Sequence, residues 1–138
     1  MLPRASFDLD QMESETEREY SGWLRTAHDI LEAVERGGGL NMLLTAAPLC
    51  AAYAKVCIFG FGRHFAPDRV YSAKEDTSGK TRTMDSCTRY AEKITAPTPC
   101  RFVSCGDGKS EAQAAKKLRL PHIHVSGPSN LTQVQQHL

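Results

Sequence analysis

What this chain of 138 residues lacks narrows its class first. No apolar run approaches the roughly 18 residues that read as a bilayer-spanning helix. The first ten residues, MLPRASFDLD, carry no apolar core of a secretory signal. Net charge is nearly absent: 17 Lys+Arg oppose 16 Asp+Glu, leaving +1. A balance so even gives no global field for nucleic acid or an anionic membrane. There is no CxxC pair among the five cysteines Cys50, Cys57, Cys87, Cys100 and Cys105. That spacing and odd count disfavour structural zinc, whose sites reuse short ligand spacings. The expectation is buried, reduced thiols in an intracellular protein.

What is present fits a single globular domain. Apolar residues make up 41% and charged residues 24%, an ordinary balance for a packed core. The charge is unevenly spread. Residues 1–40 hold nine acids and four bases, so the remaining 98 residues hold seven acids and thirteen bases. A basic remainder could attract an anionic group such as a phosphate, or could be no more than a solvated surface.

Apolar periodicity organises the chain. Tyr20, Trp23, Leu24, Ala27, Leu31 and Val34 recur at three- and four-residue steps and predict one helix over 11–36, weakened at Gly22 and ended by Gly37. Four strand–helix units follow. The strands are expected at 40–45 (LNMLLT), 70–73 (VYSA), 101–105 (RFVSC) and 122–125 (HIHV). The helices are expected after Pro48, over 84–94, over 110–118 with Ser110 as N-cap, and over 129–137, with 74–83 a polar loop. Such alternation predicts a parallel sheet with right-handed crossovers, and ligands then bind beyond the carboxyl ends of the strands. The residues standing there are Thr45, Lys74, Asp107 and Ser126.

Asp107 lies between Gly106 and Gly108, with Glu111 four residues on. Two carboxylates at a glycine-flanked strand end offer hard oxygens to Mg²⁺; the alternative is a self-bonded Asp-Gly turn. Thr45 could hold a phosphate oxygen or cap the following helix. Lys74 and Lys80 could each neutralise a phosphoryl group as a point charge. The segment TSGKT at 77–81 is no nucleotide P-loop, because the glycine required five residues before Gly79 is Lys74. His122 and His124 share one strand face, but no third metal ligand stands beside them in the sequence.

Together these pieces are sharper than apart. A threonine after strand one, a lysine after strand two and GDGxxxE after strand three resemble the haloacid dehalogenase phosphatases. The runs LNMLLTAAPLCAAYAKVCIFGFGRHF, DRVYSAK and FVSCGDGKSEAQAAKKLRLPHIHVS resemble the C-terminal domain of the Eyes absent family, over about residues 20–138. The resemblance implies a Rossmann-like three-layer α/β sandwich with a mainly parallel sheet. It implies a Mg²⁺-dependent protein tyrosine phosphatase that works through an aspartyl phosphate, covalent catalysis that divides one displacement into two. It further implies that Thr45 holds the phosphoryl group, that Lys74 or Lys80 offsets its charge, and that Asp107 and Glu111 serve Mg²⁺. It also implies a phosphotyrosine protein substrate, a homeodomain transcription-factor partner, no direct nucleic-acid or membrane binding, and a cytoplasmic and nuclear location.

One part of the pattern departs. The family's nucleophile motif is Asp-x-Asp-x-Thr at the end of a central strand, whereas this chain offers Asp8-Leu9-Asp10-Gln11-Met12. Met12 replaces the threonine, and Pro3 and Arg4 interrupt any strand before it. Residues 1–20 therefore read as an acidic segment that begins a helix, and residues 21–138 as a partial core without the central nucleophile strand or helical cap. A sheet without that strand has two edges lacking partners. Two further functions stay open: a non-catalytic interaction module with a co-activator role, and a small-molecule phosphatase of the same superfamily.

Overall fold

The computed structural model describes residues 9–19, 22–74 and 79–136. Two helices, α1 (Leu9–Glu19) and α2 (Trp23–Arg36), precede four strand–helix units: β1 (Leu43–Thr45) with α3 (Leu49–Ile58), β2 (Val70–Ser72) with α4 (Lys80–Thr95), β3 (Ser104–Gly106) with α5 (Lys109–Lys117), and β4 (His122–His124) with α6 (Pro128–Gln136). Two short 3₁₀ turns, Phe61–Arg63 and Pro67–Arg69, lie between α3 and β2. The architecture is mixed α/β with short parallel strands.

The N-terminal helix expected over 11–36 is two helices, not one. Gly22 adopts φ +82°, a left-handed conformation that glycine enters without a side-chain clash, and it stands between them. The third helix begins at Leu49 with Pro48 at its N-cap, and the fourth begins at Lys80 instead of residue 84, so residues 80–83 of the expected polar loop are helical.

The strands are three residues each, shorter than expected. β1 pairs with β2 in parallel, Leu43 opposite Val70 and Thr45 opposite Ser72. β3 pairs with β4 in parallel, Ser104 opposite His122 and Gly106 opposite His124. Among the described residues these are two separate two-stranded sheets and not the single sheet expected. Helix packing joins them. Met84 of α4 meets Ala114 and Ala115 of α5 in the buried core, with Leu44, Leu118 and Leu120 against it. The alanines let the two helix axes approach closely, and Ala115 is 0% exposed.

The cysteines are free, but the expectation that they are buried fails for three of them. Cys50, Cys57 and Cys105 are exposed, Cys100 is half-buried and Cys87 is buried. The helix LCAAYAKVCI turns only Ala52 and Val56 inward, so its apolar composition overstates its burial. Burial pushes the Cys87 thiol up to about 12, which makes it a poor nucleophile at neutral pH.

The polar interior centres on His64, which is 1% exposed. Its Nδ1 lies 3.1 and 3.2 Å from the two carboxylate oxygens of Glu35, and its Nε2 lies 3.0 Å from His28 Nδ1. Asn41 Nδ2 donates to Glu35 Oε1 at 3.0 Å and to the Leu31 carbonyl at 2.9 Å. The His28 ring stacks on Phe61 with centroids 4.3 Å apart. This cluster ties α2 to the turn after α3 and satisfies groups whose unpaired burial would cost about 1–3 kcal/mol each.

Overpacking checks the α4–α5 contact. Ala115→Leu is expected to lower stability by about 1–3 kcal/mol in denaturant melts, because no neighbouring space accepts the added methylenes.

Candidate active site

The site is built where α4 and α5 begin. Lys80 opens α4, and its ammonium forms an ion pair with Glu111 in the first turn of α5. Lys80 Nζ also donates to Ser110 Oγ at 3.1 Å, and Ser110 Oγ donates to Glu111 Oε2 at 3.3 Å. The Lys80 and Glu111 side chains are 15% and 19% exposed. Burial works to raise the Glu111 pKa, but the Lys80 ammonium and the main-chain and Ser110 hydrogen bonds outweigh it, so the carboxyl sits below its ordinary 4.5.

Glycine makes this geometry possible. A Cβ built on Gly108 would stand 1.9 Å from Glu111 Oε2, so a side chain there cannot coexist with the carboxylate in this position. Asp107 lies one residue beyond the end of β3 and is exposed. Ser110, expected as an N-cap, is inside α5 instead; the cap position belongs to Gly108, and the Ser110 hydroxyl is spent on Lys80 and Glu111.

Thr45 closes β1, and its Oγ1 accepts the Ala47 N–H at 3.1 Å. Ser72, its opposite number on β2, donates to the Ala47 carbonyl at 2.7 Å. The turn after β1 is therefore fixed from both strands.

The two candidate lysines part company. Lys80 touches Glu111, whereas Lys74 sits exposed in the turn after β2. Sequence reading missed the Ser110 link; its only trace was a hydroxyl next to the first-turn glutamate. Asp10 is exposed in the first turn of α1, on a helix and not at a strand end. Asp8 lies outside the described residues. His122 Nδ1 is 3.0 Å from Ser104 Oγ on the paired strand, while His124 is exposed. No group of three His, Cys, Asp or Glu side chains is gathered closely enough to hold a metal by itself among the described residues. Asp107 and Glu111 are hard-oxygen donors, the type that serves Mg²⁺ when water and substrate oxygens complete its shell.

The relatives of this chain are of one class. The chain is 30% identical over 140 residues to the human protein phosphatase EYA3, covering 100% of this chain and 23% of that protein. It is 32% identical over 122 residues to the Drosophila melanogaster protein phosphatase eya, covering 88% of this chain and 15% of that one. It is 30% identical over 97 residues to a chicken protein phosphatase EYA3, covering 69% of this chain and 80% of that one. No family model matches. The chain belongs to the Eyes absent family of protein phosphatases. It spans about a quarter of the length of the first of these relatives.

The ion pair makes a direct prediction. Lys80→Met removes the cation that favours the charged carboxylate, so the Glu111 titration midpoint rises, as read by carboxyl NMR. Because the folded value is depressed, the pair's stabilisation is present above the ordinary carboxylate range and is lost as pH falls through that folded value. The variant is expected to lose about 1.5–3 kcal/mol at neutral pH and little once Glu111 is protonated.

Proposed function

We infer that this chain carries the phosphoryl-recognition half of an Eyes absent-type, Mg²⁺-dependent protein tyrosine phosphatase. The observation that carries this reading is the contact between Lys80 and Glu111 beside the exposed Asp107. The Lys80 ammonium, already desolvated on one side, offsets charge on a phosphoryl oxygen. The Thr45 hydroxyl donates to a second oxygen and fixes the group's orientation. Ser110 and Gly108 hold Glu111 in place. Asp107 and Glu111 would hold Mg²⁺, which when bound supplies charge neutralisation of the transferring phosphoryl group.

Charge counting supports the divalent cation. At neutral pH Asp107 and Glu111 bring two negative charges and Lys80 one positive, so the site is net negative. A phosphate monoester would be repelled unless a cation stood with it. On this reading Lys80, and not Lys74, is the phosphoryl-binding lysine. The substrate is a phosphotyrosine protein, and the setting is the cytoplasm and nucleus, with no nucleic acid or membrane as direct partner.

A second reading rests on Asp10. Asp10 stands exposed in the first turn of α1 and not at a strand end, and no strand-end Asp-x-Asp pair stands among the described residues. Without one the chain would act as a non-catalytic docking module, with a homeodomain protein as its partner. A small-molecule phosphatase of the same superfamily would need the same nucleophile.

The test is Mg²⁺-dependent phosphate release from a phosphotyrosine peptide and from a panel of sugar phosphates, together with calorimetric Mg²⁺ binding. A phosphoryl-recognition half expects Mg²⁺ binding by the chain, with at least a tenfold loss of affinity in Asp107→Asn; peptide turnover is expected only if Asp8 or Asp10 serves as nucleophile, and is then lost in Asp10→Asn. Unchanged Mg²⁺ affinity in that variant removes Asp107 from the site. Absence of both Mg²⁺ binding and turnover on either substrate supports the docking module.

A further inference from the structure

The buried histidine of the fold takes no part in phosphoryl handling. His64 is 1% exposed and stands between the Glu35 carboxylate and the His28 ring. Counting protons across these contacts leads to a charge state that two neutral rings do not satisfy.

A carbonyl only accepts, so His28 Nε2, 3.2 Å from the Phe59 carbonyl, carries a proton. An ionised carboxylate also only accepts, so His64 Nδ1, 3.1 and 3.2 Å from the Glu35 oxygens, carries a second. Glu35 is ionised: burial works to raise its pKa, but hydrogen bonds from Asn41 and His64 and the charges of His64 and Arg69 outweigh that, so the carboxyl sits below its ordinary 4.5. With those two protons placed, neutral rings would turn bare lone pairs at each other across the 3.0 Å between His64 Nε2 and His28 Nδ1. A hydrogen bond there requires one proton more. Arg63 Nε donates to His64 Nε2 at 3.1 Å, which keeps that nitrogen an acceptor and assigns the added proton to His28 Nδ1.

The charges around the pair permit this. Glu35 faces it from α2, Arg63 from the turn after α3, and Arg69 from the next turn acts on Glu35. Asn41, before β1, adds a neutral donor to Glu35. The Arg63 side chain is exposed, so water screens its charge, whereas Glu35 touches His64 directly.

We propose that His28 and His64 share one added proton in the folded chain, so that the tie between α2 and the Phe61–Arg63 turn is a latch held by that proton. Losing it sets two lone pairs against each other inside the protein. The His28 ring, stacked on Phe61 with centroids 4.3 Å apart, then parts from the turn. Glu35 carries the change toward β1 through Asn41. The latch rests on no part of the phosphatase reading.

The experiment is imidazole nitrogen NMR on the full chain at about pH 7, where a free imidazole, titrating near 6.5, is mostly neutral. The exposed His124 serves as the neutral control, with one bare nitrogen. His28 and His64 are expected to carry three protons on their four ring nitrogens. Two protons, one on each ring, overturn the proposal. Denaturant melts against pH give a second measurement. The stability that the shared proton contributes is full below about 6.5, and is lost as pH rises through the value at which the folded pair lets it go. Between about pH 6.5 and 8.5 the folding equilibrium constant is expected to fall at least threefold relative to that of His28→Gln, whose amide takes up no proton. A ratio that stays level or rises overturns the proposal.

Discussion

The packing of α4 on α5 is the constraint on which the rest of the molecule depends. β1–β2 and β3–β4 are each closed by a crossover helix, but among the described residues no main-chain ladder joins one pair to the other. The contact of Met84 with Ala114 and Ala115 does that work, and Leu44 from the first pair and Leu120 from just before β4 complete the same cluster. Because the alanines bring little side-chain volume, the helices meet closely, and that closeness brings Lys80 within reach of Glu111. Packing and site chemistry are therefore one arrangement: a shift of α5 along α4 would separate the sheets and the ion pair together.

The sequence disclosed element order better than element limits. Four strand–helix units were legible because glycine and proline punctuate apolar runs: Pro48 before α3, and Gly106 and Gly108 around the turn into α5. Limits failed where local pattern and backbone conformation disagree. The apolar steps from Tyr20 to Val34 run through Gly22 without a break, yet its left-handed φ separates two helices. RFVSC reads as five strand residues, yet only Ser104 and Cys105 of them pair with β4, and the pairing runs on to Gly106 instead.

The candidate site was legible in its parts and not in its joins. Asp107, Glu111 and Thr45 follow from the rule that ligands meet strand ends. The choice between Lys74 and Lys80 does not, because both lie in one polar segment and only the start of α4 distinguishes them. Ser110 looked like a cap because caps and first-turn residues share chemistry. The His64–Glu35–His28 cluster left no local trace at all: its members are 29 and 36 residues apart in sequence, and only tertiary packing brings them together.

Lys80 is poorly placed for helix stability, and that bears on what it is for. A cation in a first helical turn opposes the helix dipole by about 0.3–1 kcal/mol, whereas Glu111, in the first turn of α5, gains about the same. Each residue alone would make a helix better or worse; together they set one ammonium against one carboxylate at the start of two helices. The pair leaves its positive charge on the Lys80 side and its negative charge on the Glu111 side. On the proposed reading, a phosphate monoester that arrives with its own divalent cation would present that same split of charge.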